Sequence, residues 1–276
     1  MAIKNNLAPT QSKPNFPAFI KSDGVMNSLT KTLGSETKKS SFVSSVISAV
    51  NANPALQECE FNTIINSALL GETLNLSPSP QLGHYYMVPF NDRKNDRTVA
   101  TFQLGYKGYI QLAIRSGQYK KINVLAIKEG ELIKYDPLEE TIEINLIEDE
   151  QERENAKTTG YYAMFELVNG FRKAMYWSKN KMENHALKYS KGYQAKKGYT
   201  FWEKDFDGMA YKTMLRQLIS KWGIMSIDLQ TAFTNDMSFK ESEDAQPKYF
   251  DNSNDFIEAK AEVKEPSSKT AMFFES

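Results

Sequence analysis

The chain has 276 residues, 41% of them hydrophobic and 12% aromatic, enough to bury one sizeable core with tails to spare. A single cysteine, Cys59, excludes an intramolecular disulfide framework and a thiolate-pair zinc or iron–sulfur site, and two distant histidines, His84 and His185, exclude a histidine-rich metal site. The 34 Lys and Arg balance the 34 Asp and Glu; with no apolar leader core and no apolar run near the roughly 18 residues of a membrane span, a soluble, cytoplasmic protein without a membrane partner is expected.

Residues 1–40 are rich in Lys, Ser, Thr, Asn and Pro and read as a flexible arm or loosely docked helix. The spacing of Phe42, Val43, Val46, Ile47 and Val50, then of Phe61, Ile64, Ile65, Ala68, Leu69 and Leu70, predicts two amphipathic helices separated by Asn53-Pro54. Alternation predicts strands from Tyr85 to Phe90 and from Thr98 to Leu104, joined by a polar loop whose Arg93, Lys94 and Arg97 suit a solvated turn better than a further electrostatic contact. A helix over 105–116, ended by Gly117, comes next. Strands are expected at 119–127, 131–136 and 140–147, then a mobile acidic stretch at 148–157, then a hairpin of 160–168 and 171–177 around Asn169-Gly170. Helices return at 178–190, 206–222 and 226–235. The expected fold is α+β, an antiparallel sheet with packed helices, with a core over 41–235 and a disordered acidic tail over 236–276.

Zero net charge hides segregation along the chain. Residues 93–128 carry 8 Lys or Arg against 1 acidic residue and residues 157–222 carry 13 against 5, whereas residues 129–156 carry 2 against 11 and residues 223–276 carry 5 against 11. A polyanion feels the local blocks and not their sum.

Three segments carry the chemistry. On a helix, Lys107, Gln111 and Arg115 share one face and Tyr106, Tyr109, Ile110, Ala113 and Ile114 the other. The tyrosines thus suit a core better than a stacking platform, although Tyr109 stays a candidate contact. Gly105 and Gly108 would let a nucleic-acid strand approach the backbone. In the helix near the C-terminus, Lys212, Thr213, Arg216, Gln217 and Ser220 oppose Tyr211, Met214, Leu215, Leu218 and Trp222. A polar face of cations and neutral donors without a carboxylate is spaced for phosphate oxygens. Between them, residues 188–202 alternate Lys188, Lys191, Lys196 and Lys197 with Tyr189, Tyr193, Tyr199, Phe201 and Trp202. That mixture supplies cations for a backbone and aromatic faces for unstacked bases, or else makes a plain solvated lysine loop. Lys120 and Lys121 extend the basic set. No G-x-x-x-x-G-K-[ST] phosphate loop occurs, which argues against ATP-driven chemistry. The carboxylates of 139–154 suit a solvated charged loop better than a two-metal nuclease site.

Four segments, in order, resemble signature blocks of the RecT recombinase family. They are Leu82 to Phe90, Phe102-Gln103-Leu104-Gly105-Tyr106-Lys107-Gly108-Tyr109-Ile110-Gln111-Leu112-Ala113, Gly117 to Val124, and Lys212-Thr213-Met214-Leu215-Arg216-Gln217-Leu218-Ile219-Ser220-Lys221-Trp222-Gly223-Ile224. The resemblance implies a sheet-and-helix core similar to that of eukaryotic annealing proteins, with single-stranded DNA in a basic groove. It implies annealing of complementary strands without nucleotide hydrolysis, as rings or filaments, in phage recombination beside a 5′-to-3′ exonuclease. The expected DNA contacts are then Lys107, Tyr109, Gln111, Arg115, Lys120 and Lys121; Lys188, Lys191, Tyr193, Lys196, Lys197 and Trp202; and Lys212, Thr213 and Arg216. No catalytic residue, resident metal or required cofactor is expected, with Mg²⁺ as a modulator of DNA binding. The acidic tail, ending in Ala271-Met272-Phe273-Phe274-Glu275-Ser276, suits docking of a host single-strand-binding protein. The rival readings are a metal-dependent nuclease and a non-catalytic phage scaffold.

Overall fold

A computed structural model describes residues 15–92, 95–198, 200–240 and 248–249. The chain begins with helices α1 (Phe16–Ile20), α2 (Asp23–Leu33) and α3 (Glu36–Ala52), a 3₁₀ turn (Pro54–Glu58) and α4 (Phe61–Thr73). From residue 15 onward the expected arm is therefore helical and docked, with Phe16, Ile20 and Leu29 buried in the main core. Asn15 caps α1 through Ala18 N–H (3.0 Å), and Phe16 meets Phe61 edge-on at 5.4 Å. The polar composition of this segment concealed a sparse apolar stripe, and a stripe is all a surface helix needs. Residues 1–14 lie outside the described residues.

Strands β1 (Tyr85–Asp92) and β2 (Arg97–Leu104) form an antiparallel hairpin in the register Tyr85↔Leu104 to Asp92↔Arg97. Of the loop cations, Arg97 is held by Asp92 and Glu60, each at 3.1 Å; Arg93 and Lys94 lie outside the described residues. Helix α4 crosses the hairpin, where Thr63 Oγ1 accepts from Ala100 N–H (2.9 Å) and Ser67 Oγ donates to Ala100 O (3.0 Å).

Helix α5 (Tyr106–Arg115) leads into β3 (Tyr119–Lys128), β4 (Leu132–Asp136), β5 (Thr141–Ile144), α6 (Glu150–Asn155), β6 (Thr158–Leu167) and β7 (Arg172–Ser178). The second sheet has the order β3-β6-β7, all antiparallel. Its central strand is buried on both faces: Tyr161, Ala163, Phe165 and Leu167 join the main core, while Tyr162 and Met164 pack under the β4–β5 hairpin. The acidic stretch expected to be mobile instead forms α6. Asp149 caps it through Glu152 N–H (2.7 Å), and Arg153 anchors it to the buried Glu131 (2.6 Å) and to Ala126 O (2.8 Å).

Helices α7 (Lys179–Tyr189), α8 (Lys191–Gln194), α9 (Phe201–Lys204), α10 (Phe206–Trp222) and α11 (Ile227–Asn235) complete the helical layer. Residues 236–240 and 248–249, expected as part of the disordered tail, enter the fold, with Asp236 and Ser238 buried; the remainder of that tail lies outside the described residues. Strand β8 (Ser238–Phe239) pairs β2 at Phe102, and β9 (Lys248–Tyr249) pairs β8. Among the described residues no helix is long and apolar enough to cross a membrane.

Candidate nucleic-acid interface

The start of α5 is fixed by close backbone packing. Gly105 N–H donates to His84 O (2.8 Å). A Cβ at Gly105 would lie 2.2 Å from Gly83 O, and one at Gly108 would lie 2.1 Å from His84 O. The two glycines therefore admit the chain entering β1, where a nucleic-acid strand had been expected to approach. This packing turns Lys107, Gln111 and Arg115 outward, all exposed. Arg115 also donates to the carbonyls of Leu74 (2.6 Å) and Asn75 (3.3 Å), closing the C-terminus of α4. Beside them His84 accepts from Ser77 N–H at Nδ1 (3.3 Å). Partial burial, then the charges of Arg115 and Lys107, hold its imidazole below the usual range, as positive potential along this face requires.

Residues 188–202 wrap the aromatic end of α10. Trp202 is buried, with its ring 5.1 Å from Phe206 and 6.3 Å from Tyr193. These rings brace one another, so the loop offers its lysines more freely than its aromatic faces. Lys188, Lys191, Lys196 and Lys197 are all exposed. Glu203 fastens the turn by accepting from Gly198 N–H (2.8 Å), Thr200 N–H (3.0 Å) and Thr200 Oγ1 (2.7 Å). Tyr199 lies outside the described residues. His185 sits among Tyr189 (4.5 Å), Trp177 (5.5 Å) and Trp202 (6.4 Å), and burial, aided by Lys188, pushes its imidazole down to about 4.

The entry to β1 adjoins both basic elements. The Tyr86 ring lies 5.5 Å from Phe201 of α9. A Cβ placed on Gly83 would lie 3.0 Å from Tyr86 Oη and 3.4 Å from Lys107 Cδ, so one glycine adjoins both. A shallow open cleft runs beside this contact, lined by Pro78, Pro80, Tyr86 and Phe201 among others.

Helix α10 behaves differently from its helical wheel. Asp236, fully buried, accepts from Lys212 Nζ (2.9 Å), Arg216 Nη1 (2.7 Å), Tyr109 Oη (3.1 Å) and Leu104 N–H (2.9 Å). Burial pushes its carboxyl up, but the two cations and the donated hydrogen bonds outweigh that and hold it below the usual carboxylate range. Lys212, Tyr109 and Thr213 are buried, and Thr213 Oγ1 donates back to Met209 O (2.9 Å). Arg216 is partly exposed and lies over the Phe233 ring at 5.3 Å. The wheel found no carboxylate on this face because the carboxylate comes from another element, 20 residues beyond Arg216. Asp236 and the Tyr86–Phe201 contact had no local sequence signal.

Lys120 and Lys121, exposed on β3, share Glu166 at 2.6 and 3.9 Å. The acidic residues disperse: Glu131 serves Arg153, Glu140 pairs with Lys173, and Asp149 caps α6. Among the described residues no three His, Cys, Asp or Glu side chains gather as a metal site would require.

The chain is similar to known proteins over most of its length. The RecT family pattern matches residues 40–249. The uncharacterized protein YqaK of Bacillus subtilis (strain 168) is 38% identical over 275 residues, 97% of this chain and 88% of its own. Protein RecT of Escherichia coli (strain K12) is 27% identical over 236 residues, 84% of each chain. With that match spanning both basic elements and the Asp236 network, the chain belongs to the RecT family, a family of DNA binding, strand annealing and DNA recombination.

Proposed function

We propose that this protein binds single-stranded DNA along the exposed α5 face and the 188–202 lysines, and anneals it to a complementary strand without nucleotide hydrolysis, acting as an oligomer. The observation that supports the reading is the contact of the Tyr86 and Phe201 rings, which brings the start of α9 beside β1 and so suits a track shared by cations far apart in sequence. Lys107, Arg115, Lys188, Lys191, Lys196 and Lys197 contact phosphates, with Gln111 as a neutral donor and Lys120 and Lys121 at the flank. Tyr193 and Trp202 shape the loop. Lys212, Arg216, Tyr109 and Thr213 act from behind, holding α5 against α10.

Contacts to the backbone carry no sequence information, so selectivity comes from Watson–Crick pairing with bases left outward. The protein's contribution is to screen phosphate repulsion and to raise the effective concentration of strands held on neighbouring copies. Mg²⁺ modulates binding by competing for phosphates. A 5′-to-3′ exonuclease supplies the single strands and a host single-strand-binding protein presents them.

Annealing of labelled complementary oligonucleotides, with and without ATP and Mg²⁺, tests this. Full-length duplex should form faster than spontaneous pairing in the absence of ATP. An ATP requirement or no acceleration refutes the proposal, and shortened strands in Mg²⁺ would favour the nuclease reading.

A further inference from the structure

The short strands β8 and β9 fix the direction in which the chain leaves the sheet at Tyr249. Strand β8 runs antiparallel to β2, with Ser238 opposite Phe102, and β9 runs antiparallel to β8, with Tyr249 opposite Ser238. Strand β9 is therefore parallel to β2 and points toward the sheet end where β2 passes through Leu104 into α5. The root of this strand pair is tied to α5. Met237 N–H donates to Phe102 O (2.8 Å), and Asp236 accepts from Leu104 N–H (2.9 Å) and Tyr109 Oη (3.1 Å). Gly83, which adjoins Lys107, precedes β1 at the same end, where Tyr85 pairs with Leu104. In the order β1-β2-β8-β9, three strand spacings separate β9 from β1, roughly 14 Å. Five residues at ~3.3 Å each are enough to cover that distance.

Residues 250–276 lie outside the described residues, but their charges are patterned in the sequence. They hold 6 acidic residues against 3 Lys. After Asp251, the carboxylates of Asp255, Glu258, Glu262 and Glu265 recur at steps of three and four. On a helix these four fall within an arc of roughly 80°, with Lys260 and Lys264 on the opposite side. Asn254 supplies a cap before Asp255, and Pro266 supplies a stop after Glu265. The stretch 255–265 thus encodes an acidic stripe about 15 Å long. On α5 the exposed stripe of Lys107, Gln111 and Arg115 has a matching length of about 12 Å, and Ile114 beside it is 53% accessible. Lys188, Lys191, Lys196, Lys197 and Lys204 are exposed alongside. The carboxylates of that loop are engaged: Glu203 holds the Thr200 turn, and Asp205, though exposed, caps α10 by accepting from Gly208 N–H (3.0 Å).

We propose that segment 251–265 docks on the exposed α5 stripe and the adjoining 188–202 lysines of its own chain, as a tethered competitor of single-stranded DNA. The inference rests on the DNA track proposed above and adds a means of regulating it. Tethering makes the docking intramolecular, so ion pairs too weak to hold a free peptide suffice at low salt. A DNA strand carries a phosphate on every nucleotide and displaces a segment with one carboxylate in every three or four residues. A shorter polyanion with few charges competes less well, so the segment reserves the track for extended strands.

Fluorescence anisotropy of a labelled oligonucleotide with the full chain, over a range of salt concentrations, tests the docking. The variant Asp251→Asn/Asp255→Asn/Glu258→Gln/Glu262→Gln/Glu265→Gln should bind ~10-fold tighter at low salt, with the difference closing as salt rises and the log–log salt slope steepening. Glu139→Gln/Glu143→Gln/Glu148→Gln/Glu150→Gln/Glu154→Gln makes the same change in charge at sites that the β4–β5 hairpin and α6 hold in place. That control should gain about 2-fold or less. Equal gains in the two variants, or no gain in the first, overturn the proposal. Carbodiimide coupling of carboxylates to amines in the DNA-free chain, mapped by peptide mass spectrometry, should join segment 251–265 to Lys107, Lys188, Lys196 or Lys197, and added oligonucleotide should suppress these links. In a mixture of isotope-labelled and unlabelled protein the links should fall within one isotope; links found only between isotopes, or none to these lysines, overturn docking on the same chain. If the unaltered chain fails to bind or anneal DNA, the annealing reading fails, while the cross-links still report whether the segment docks.

Discussion

Replacing Asp236 by Ala removes the buried carboxylate that pairs with Lys212 and Arg216 and satisfies Tyr109 Oη and Leu104 N–H. Breaking a buried pair by deleting one partner leaves an uncompensated charge and typically costs about 3–5 kcal/mol. Lys212→Met is the milder perturbation: the apolar stem stays buried, and Asp236 keeps Arg216, Tyr109 and Leu104 as partners, so about 1–3 kcal/mol is expected. Urea unfolding of the three proteins at neutral pH should rank them unaltered, Lys212→Met, Asp236→Ala in falling stability. The pH sign follows from the same network. A carboxyl held below its unfolded value contributes stability above the unfolded range, near ~3.9, and loses it as pH falls through the lower folded value. The acid side of the stability profile should therefore flatten in Asp236→Ala. Because Lys212 works from inside, Lys212→Met should leave the salt dependence of DNA binding unaltered. A loss under about 1 kcal/mol for Asp236→Ala, or a clear drop in salt slope for Lys212→Met at full stability, would refute this account.

Removing exposed cations should show the opposite signature. Lys107→Ala with Lys196→Ala should leave unfolding near the unaltered value and reduce the log–log salt slope by about 0.7 per lost phosphate on single strands, read by fluorescence anisotropy; an unchanged slope removes these residues from the track. Gly108→Ala drives a methyl to 2.1 Å from His84 O, and the forced shift at the α5–β1 junction should cost about 1–3 kcal/mol in thermal or urea unfolding. His185 is held down to about 4 by burial, so the unfolded state binds the proton first. Stability from this group should fall as pH drops from about 6.5 to about 4, and His185→Phe should remove that part of the acid sensitivity in a pH series of melts.

Much of the secondary structure follows from local rules. The hairpin at Asn169-Gly170, the alternation of β6, the 3.6-residue period of α4 and α10 and the stop at Gly117 each depend on residues a few positions apart, and each is where those rules place it. The apolar side of α5 is likewise legible, and Tyr109 is buried as its place on that side implies. Segments with long-range partners read less well. Composition left residues 1–40 open between a flexible arm and a loosely docked helix and pointed to a mobile acidic stretch at 148–157; Phe61 and Glu131 give the described parts of these segments partners that composition does not contain.

By itself, the sequence determined an α+β chain whose basic blocks alternate with acidic ones, and family blocks in a readable order. Which cations face solvent was decided only by the tertiary structure. A helical wheel separates polar from apolar positions, but it cannot tell a polar side turned to water from one turned to a carboxylate brought in from elsewhere. Lys107 and Lys212 both sit in lysine-bearing polar stripes; one is exposed beside Gly83, and the other is buried against Asp236. The difference lies in which remote element arrives at each helix, and that is a property of the assembled chain.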